Sequence, residues 1–333
     1  MRNTQVVLTS RPVGIPQSEH FAIVTADLPE LVDGHFRVHN QVLSVDPAMR
    51  GWTNAAPNYA PPVGLGEVMR SFAAGDVIES RHEDYPVGTR LVGMFGWQEY
   101  AHDNGSRVTR VVPDDGLPLS LSLGVLGLTG ATAWLGLLDL GRPRPGDVVA
   151  VSTAAGAVGS VVGQLAQAAG ARAVGITGGA RKVALCRDAF GFDAAVDYRS
   201  PSFAEDLAAA VPDGVDVYFD NTAGAISDAV SSHLSVGARI VVCGTASVAS
   251  WDPPPLGPRI ERTILAKRVQ MAGFLFFDHQ HRAPEAWRRL AELVKAGRLR
   301  YREEFLDGLA AAPDAIAGLY RGENLGKRLI RLR

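Results

Sequence analysis

The spacing of apolar and polar residues divides the chain into two kinds of region. From residue 5 to about 118, short runs of alternating apolar and polar residues, such as "TQVVLT" and "HFRVHNQVLSVD", are separated by turns rich in proline and glycine. This period of two predicts a region built only of β-strands. From about 126 to 299, short apolar runs alternate with longer amphipathic stretches. That pattern is typical of βαβ units on a parallel sheet.

Six apolar runs in the second region are predicted to form the strands of this sheet. They cover residues 148–153, 173–177, 194–197, 215–220, 239–243 and 269–276. Six parallel strands suit a doubly wound, dinucleotide-binding sheet. We therefore expect an α/β protein with domains at 1–125 and 126–298. Segment 299–333 returns to strand, helix and strand, and is predicted to complete the sheet of the first domain.

Composition and charge exclude several classes of partner. Of 333 residues, 47% are hydrophobic and 20% are charged, and 33 Lys and Arg nearly balance 35 Asp and Glu. The resulting net charge of −2 gives no general attraction to nucleic acid or to an anionic membrane. No apolar run approaches the ~20 residues of a membrane span, and no secretory signal is visible. We predict a cytoplasmic protein without nucleic-acid or membrane partners.

The cysteines and histidines do not form a metal-binding pattern. Cys186 and Cys243 are the only cysteines, they lie in separate predicted elements, and residues 1–150 contain none. The histidines of the first region are scattered among strands and turns without a convincing carboxylate partner. We therefore predict no metal site, and zinc-assisted carbonyl reduction is disfavoured.

The stretch "VVAVSTAAGAVGSVVGQLAQAAG", residues 148–170, combines a strand, a tight turn and the start of a helix. It matches the phosphate-binding pattern G-x-G-x-x-G with Ala154 in place of the first glycine and Gly156 and Gly159 in the other two places. Glycines let the backbone approach a pyrophosphate, and the free N–H groups of the helix stabilise its charge. The alternative interpretation is close packing of helix on strand, because the motif alone is a weak signal.

The residues after the second strand distinguish NADP(H) from NAD(H). An NAD-binding protein usually carries an acidic residue there, whereas this chain has "ITGGARKV" with Arg181 and Lys182. Two cations would attract a 2′-phosphate, which an acidic residue would repel. The sequence therefore predicts NADP(H), with solvated charges on a helix turn as the alternative.

Seven ordered motifs resemble one family along nearly the whole chain. They are "LSVDPAMRGW", "NYAPPVGLGEVM", "GLTGATAWLGLLDLG", "AAGAVGSVVGQLA", "GFDAAVDY", "YFDNTAG" and "GENLGKRLI". In these motifs the chain is similar to the zinc-free medium-chain dehydrogenase/reductases that include prostaglandin reductases, plant alkenal double-bond reductases and bacterial curcumin reductases.

The resemblance implies a GroES-like β domain, a Rossmann domain, an active-site cleft and a homodimer that pairs through the last Rossmann strand. It also implies the residues that line the NADP(H) site. They are Ala155, Gly156, Ala157 and Val158 at the pyrophosphate, Gly178, Lys182 and Tyr198 at the 2′-phosphate, and Asn221, Cys243, Gly244, Thr245, Phe274, Leu275, Phe276 and Asn324 along the remainder.

NADPH without a metal favours hydride transfer to the β-carbon of an α,β-unsaturated ketone or aldehyde, which then needs a hydrogen-bond donor and a proton. The family's tyrosine in "DPYMR" is replaced by Ala48, and a second tyrosine is replaced by Ala266. Tyr59 remains the candidate catalytic hydroxyl, with an aromatic lid as its alternative role. Four residues are predicted to line the substrate pocket, namely Ala48, Met49, Trp52 and Trp251.

Two other functions fit the same residues. Quinones are also conjugated carbonyls, so an NADPH quinone reductase of the same superfamily is an alternative. A non-catalytic NADPH-binding regulator is the second, and it would need only the adenosine half of the site. The natural substrate, the stereochemistry and the proton donor do not follow from the sequence.

Overall fold

The computed structural model describes residues 1–55, 59–248 and 253–332. The chain forms two compact units. The first unit combines Met1–Gly124 with Glu303–Arg333, and the second is Val125–Arg302.

Strands and helices of the described residues are numbered here in chain order. The strands are β1 (Arg2–Leu8), β2 (Phe21–Asp27), β3 (Phe36–Ser44), β4 (Ala73–Ser80), β5 (Arg90–Gly93), β6 (Tyr100–Asp103), β7 (Val108–Val111), β8 (Val148–Ser152), β9 (Arg172–Thr177), β10 (Ala194–Asp197), β11 (Val215–Asp220), β12 (Leu234–Val242), β13 (Gln270–Gly273), β14 (Glu303–Asp307) and β15 (Lys327–Arg331). The α-helices are α1 (Ala48–Trp52), α2 (Leu128–Leu135), α3 (Gly159–Ala168), α4 (Ala180–Ala184), α5 (Phe203–Ala210), α6 (Gly224–Ser231), α7 (Glu261–Lys267), α8 (Ala283–Lys295) and α9 (Ala312–Tyr320).

A seven-stranded sheet and a hairpin form the first unit. The sheet runs β14-β15-β3-β4-β5-β7, with β6 paired to β3, and β1 and β2 pair antiparallel beside it. The C-terminal strands β14 and β15 pair parallel to each other, and β15 then pairs antiparallel with β3. The prediction of strands alone was wrong at α1, because five residues after Pro47 turn into a short helix.

The second unit is the predicted six-stranded parallel sheet. Its order is β10-β9-β8-β11-β12-β13. The chain builds outward from β8 in one direction and then restarts at β11 in the other, which is the doubly wound topology. This order places a switch point between the carboxyl ends of β8 and β11, where such sheets bind their ligands.

Two of the six predicted strands differ from the structure by more than one residue at an end. Strand β12 starts at Leu234, five residues before the predicted start, because an earlier part pairs with β11 across a register shift. Strand β13 ends at Gly273, so the prediction that it extends to Phe276 was wrong. Its neighbour β12 ends at Val242, opposite Gly273, and supplies no further ladder partners. From Phe276 the chain instead forms a 3-10 turn.

Apolar side chains fill both faces of the parallel sheet. Every residue of β8 is buried, and its Val148 and Ala150 share one core with Val174 and Ile176 on β9 and Ile240 on β12. Strands buried on both faces read as nearly continuous apolar runs. This is why the six runs could be recognised in the sequence. Because all six strands pair in parallel, their carboxyl ends lie at one edge of the sheet.

Candidate functional site

The turn after β8 holds backbone strain at Thr153. This threonine has a φ of 50°, whereas Ala154, which replaces the first motif glycine, is not among the residues with positive φ. The N–H of Gly156 donates to the carbonyl oxygen of Thr153 over 2.8 Å and closes the turn. An alanine therefore fits the first motif position, because the left-handed residue precedes it.

The two remaining motif glycines lie where the backbone comes close to itself. A Cβ on Gly159 would lie 2.4 Å from the Thr153 oxygen, and one on Gly156 would lie 3.1 Å from the same atom. Gly159 is also the first residue of α3, so the turn leads directly into a helix N-terminus. Of the predicted pyrophosphate residues, Ala155 is buried, and Gly156, Ala157 and Val158 are half-buried.

A tyrosine and an arginine border Gly178 just after β9. A Cβ on Gly178 would lie 2.9 Å from the Tyr198 hydroxyl and 3.0 Å from Nε of Arg199. The Arg199 guanidinium carbon lies 5.7 Å from the centroid of the Tyr198 ring. Lys182 follows within one turn of α4, and its N–H donates to the carbonyl of Gly179 over 3.0 Å. The structure thus brings the predicted Gly178, Lys182 and Tyr198 into one short region.

Arg199 is a candidate binding residue that the sequence analysis missed. The signal was present, because Arg199 directly follows Tyr198 in "VDYRS". The neighbouring acidic residue, Asp197, accepts hydrogen bonds from the N–H groups of Gly179 (2.8 Å) and Arg199 (2.9 Å). Asp197 therefore organises the turn around Gly178 through the backbone.

A buried carboxylate organises the ends of β8 and β11. Asp220 is 4% exposed and accepts hydrogen bonds from the hydroxyl of Tyr218 (3.0 Å) and the N–H of Thr222 (2.9 Å). Beside it, Asn221 donates through Nδ2 to the carbonyl of Ser152 over 2.7 Å. Ser152 accepts from one of the two N–H donors of this amide, so a ligand could be recognised through the second N–H or through the amide oxygen of Asn221.

The loop after β12 packs against the same strand end. The N–H groups of Cys243 and Gly244 both donate to the carbonyl of Asp220, over 2.8 and 3.1 Å. A Cβ on Gly244 would lie 2.9 Å from the Asn221 carbonyl oxygen. Thr245 follows in this loop and is half-buried. Burial, and then the charge of Asp220, raise the pKa of Cys243 to about 12, so its thiol is protonated at neutral pH and is a poor nucleophile.

The three predicted residues after β13 differ in exposure. Phe274 and Phe276 are 7% and 4% exposed, and the Phe274 ring stacks on His279 with centroids 5.1 Å apart. Leu275 between them is half-buried. The two aromatic rings belong to the core of the second unit, and Leu275 has the more accessible side chain.

The predicted substrate residues on α1 lie in the first unit. Met49 and Trp52 are 0% and 2% exposed, and the Arg70 guanidinium lies over the Trp52 ring at 5.5 Å. Ala48 is half-buried. The segment after α1 is closed by a hydrogen bond from the N–H of Val63 to the carbonyl of Trp52 over 2.8 Å.

Tyr59 lies within that closed segment, and its side chain is 51% exposed. The fourth predicted pocket residue, Trp251, lies outside the residues that the structure describes. Asn324, predicted to contact the cofactor, is buried in the first unit and donates through Nδ2 to the carbonyl of Gly326 over 2.9 Å. That bond stabilises the turn before β15.

A buried ion pair anchors α1, and the sequence analysis missed it. The ammonium group of Lys327 donates to Oδ1 of Asp46 over 2.5 Å and to Oγ of Ser44 over 2.6 Å. Both charged side chains lie in motifs quoted above, "LSVDPAMRGW" and "GENLGKRLI", but their contact joins positions 281 residues apart. The pair holds the end of β3, and so the start of α1, against β15.

Within the described ranges, no group of three or more His, Cys, Asp or Glu side chains could hold a metal ion. None of the helices in those ranges is long and apolar enough to cross a membrane.

Comparison with known proteins gives matches over both units. A family described as the N-terminal domain of oxidoreductases matches residues 4–111, and one described as zinc-binding dehydrogenases matches residues 157–294. The NADPH-dependent curcumin reductase of Escherichia coli is 40% identical, over 99% of this chain and 97% of its own length. The NADP⁺-dependent 2-alkenal reductase of Nicotiana tabacum is 34% identical, over 98% and 97%.

A solved structure agrees with these relatives. The crystal structure of CurA from Vibrio vulnificus in complex with NADPH superposes with a TM-score of 0.94 at 39% identity, covering 100% of this chain and 99% of that one. The resemblance found in the seven motifs is confirmed: the chain belongs to the zinc-free medium-chain dehydrogenase/reductases, the oxidoreductase family of the curcumin, prostaglandin and 2-alkenal reductases.

Proposed function

We propose that this protein is an NADPH-dependent reductase of the carbon–carbon double bond in α,β-unsaturated ketones and aldehydes. The observation that carries the proposal is the Arg199 guanidinium beside Gly178, with a second cationic residue, Lys182, in the first turn of α4, in a chain 40% identical to an NADPH-dependent curcumin reductase. A 2′-phosphate needs such cations, because they form charge-assisted hydrogen bonds with its oxygens.

The residues of the second unit fit this cofactor. Without a Cβ, Gly178 leaves its space to a ligand beside the Tyr198 hydroxyl and the Arg199 guanidinium. The turn at 155–158 leads into the N-terminus of α3, which favours a pyrophosphate. Asn221, together with the loop at 243–245, would hold the nicotinamide half. When bound, NADPH supplies a hydride to an electron-poor carbon.

The chain's own contribution to the chemistry is a hydrogen-bond donor and a proton. As the β-carbon is reduced, negative charge develops on the carbonyl oxygen, and a donor aimed at that oxygen lowers the barrier. We assign this role to Tyr59, whose hydroxyl belongs to a half-exposed side chain of the first unit. Ala48, Met49, Trp52 and Trp251 remain the proposed pocket residues, with Ala48 leaving room for a bulky substrate.

A substrate panel tests the proposed reaction. Purified protein is mixed anaerobically with NADPH and enones of graded size, a quinone, and a simple ketone, and the products are identified. We expect saturated ketones from the enones and no turnover of the simple ketone, because an isolated carbonyl has no conjugated carbon to accept the hydride. Turnover of the quinone alone would assign the protein to the quinone reductases.

The assembly and location follow from the same proposal. β13 is the last strand of the parallel sheet, and its Met271 is 46% exposed. The backbone of this edge strand could therefore pair with β13 of a second copy of the chain. A mass twice 35.4 kDa by light scattering would support the homodimer, and a monomer would contradict it.

We place the protein in the cytoplasm, where cysteines remain reduced; Cys186 and Cys243 are free thiols.

A further inference from the structure

The turn after β11 contains a backbone conformation that only glycine adopts without strain. Ala223 has a φ of 57° and a ψ of −163°. A residue with a Cβ keeps this conformation only where the surrounding structure imposes it, and such residues cluster at ligand-binding sites. Ala223 lies two residues after Asn221, a proposed cofactor residue at the carboxyl end of β11. The contacts that hold Ala223 therefore bear on the cofactor site.

The buried carboxylate of Asp220 holds the N–H side of this turn. Its Oδ1 accepts hydrogen bonds from the N–H groups of Thr222 and Ala223, each over 2.9 Å. Asp220 is 4% exposed, so water does not compete for these donors. Hydrogen bonds to a carboxylate are stronger than those between neutral groups. Asp220 can therefore impose a conformation that the Cβ of Ala223 opposes.

Ser247 holds the carbonyl side of the same turn. Its Oγ donates to the carbonyl oxygens of Thr222 and Ala223, which lie 2.8 and 2.9 Å away. The N–H of Ser247 donates to the Thr222 carbonyl over 3.0 Å, and the N–H of Ala246 donates to the Asn221 carbonyl over 3.2 Å. The loop after β12 is thus attached to the turn after β11, and it keeps its position only while that turn keeps its own.

The carboxylate also reaches Asn221 through Ser152. The Ser152 hydroxyl donates to Oδ1 of Asp220 over 3.3 Å and accepts from the N–H of Asn221 over 2.7 Å. Because a hydroxyl has one hydrogen, its bond to the carboxylate leaves its lone pairs for the N–H of Asn221. Asp220 therefore positions Asn221 by way of Ser152 and residues 222–223 directly.

We infer that Asp220 is a positioning residue for the nicotinamide half of the NADP(H) site: its carboxylate holds Ala223 in the strained conformation that keeps Asn221 and the loop at 243–247 in place to bind the cofactor. The inference rests on the proposed function, since it takes Asn221 and residues 243–245 as cofactor contacts. It goes beyond that function by giving a role to a buried carboxylate and to the strain at one residue.

Glycine at position 223 separates this role from any other role of the carboxylate. Glycine adopts the conformation of Ala223 without strain, so a turn that contains it depends less on Asp220. If Asp220 acts by holding the strained turn, Ala223→Gly restores the binding that Asp220→Ala loses. If the carboxylate only supports the core, or acts on the cofactor through its charge, Ala223→Gly restores nothing.

Three variants are compared with the parent protein, namely Asp220→Ala alone, Asp220→Ala with Ala223→Gly, and Asp220→Ala with Arg268→Gly. Arg268 is the matched control, because it also has a positive φ, 51°, and is an exposed residue at the end of α7, outside both loops. Calorimetric titration measures the dissociation constants for NADPH and for adenosine 2′,5′-bisphosphate, which lacks the nicotinamide half.

We expect Asp220→Ala to weaken NADPH binding about 10-fold, because only a fraction of the molecules then holds the binding conformation. Adding Ala223→Gly should recover at least about 3-fold of this loss, whereas adding Arg268→Gly should recover none. Binding of adenosine 2′,5′-bisphosphate should stay within about 2-fold in every variant, since its proposed contacts lie around Gly178. Unchanged NADPH affinity in Asp220→Ala, equal losses for the two ligands, or no recovery with Ala223→Gly overturns the inference.

If Asp220→Ala does not fold, Asp220→Asn replaces it, because asparagine has the same size and its neutral oxygen is a weaker acceptor. Weaker NADPH binding that Ala223→Gly restores then supports the inference, and unchanged binding or no recovery refutes it. The substrate panel tests the proposed function separately. A parent protein that binds NADPH but reduces no enone fails that panel, while the affinities above still decide the role of Asp220.

Discussion

Two cationic residues near Gly178 are proposed to select the cofactor of the second unit. Lys182 and Arg199 reach this region from different elements, α4 and the residues after β10, so each can be changed alone. Replacing either with alanine should weaken NADPH binding about 10-fold, because each contributes charge-assisted hydrogen bonds to the 2′-phosphate. NADH, which lacks that phosphate, should bind with unchanged affinity.

Fluorescence titration of the purified variants with NADPH and NADH measures both affinities. Arg187→Ala is the matched control, since Arg187 is an exposed cation in the turn that follows α4. If Lys182→Ala and Arg199→Ala lost NADPH and NADH affinity equally, the assignment would be contradicted, because equal losses would indicate damage to the whole site.

The buried thiol of Cys186 makes the free energy of unfolding depend on pH. Cys186 is fully buried, and burial raises the pKa of its thiol to about 12 from an ordinary value of 9.0. Below pH 9 both the folded and the unfolded chain keep this proton, so the stabilisation is complete. Between about pH 9 and about pH 12 only the folded chain keeps it, and the free energy of unfolding falls by up to about 1.4 kcal/mol per pH unit.

Cys186→Ala should remove this contribution to the fall of the free energy of unfolding with rising pH. Urea unfolding of the parent and the variant between about pH 8 and about pH 10.5 measures the difference. Their free energies of unfolding should converge as the pH rises, and a constant difference across this range would disprove the prediction.

At the scale of elements, the turn between β8 and α3 depends on Gly159. A Cβ there would lie 2.4 Å from the Thr153 oxygen and 2.8 Å from the Ala154 Cα, both backbone atoms that cannot move aside cheaply. Gly159→Ala should therefore destabilise the protein by about 1–3 kcal/mol and weaken NADPH binding. Gly273→Ala is the control, because its Cβ would meet no atom within 4 Å. Equal stability of the two variants by denaturant unfolding would count against this account of the turn.

Two cationic residues of strand β15 allow a second comparison of variants. Lys327 is buried in its ion pair with Asp46, whereas Arg331 on the same strand pairs with Asp307 at 3.8 Å with both side chains exposed. Lys327→Met leaves a buried carboxylate without its cation and should cost about 3–5 kcal/mol. Arg331→Met should cost no more than about 1 kcal/mol. Denaturant unfolding measures both, and similar losses would show that the buried pair does not anchor α1.

The elements that could be predicted are those whose pattern is local. Strand β8 reads as an apolar run because both its faces are buried, and α3 follows a turn with recognisable glycines. The end of β13 could not be predicted, because it is set by the end of β12, its neighbour in the sheet. The pair of Lys327 with Asp46 joins distant positions, so its contact became visible only in the folded chain.

At the scale of the whole molecule, two units divide the chemistry. The second unit carries the cations, the turn and the switch point that suit a dinucleotide, and the first carries Tyr59 and the α1 residues, which are proposed to meet the substrate. This division explains why sequence motifs identified the family and the cofactor more fully than the substrate. Cofactor recognition uses short local motifs, whereas the proposed substrate residues on α1 depend on contacts between distant parts of the chain, such as that of Lys327 with Asp46.

The destination of the hydride distinguishes reduction of the conjugated double bond from reduction of the carbonyl group. NADPH deuterated at C4 is supplied with an enone under anaerobic conditions, and the label in the product is located by NMR. We expect deuterium on the β-carbon of a saturated ketone and a solvent-derived proton on the α-carbon. Deuterium on the carbonyl carbon of an unsaturated alcohol would contradict the proposed function, because the hydride would then have reduced the carbonyl group rather than the conjugated double bond.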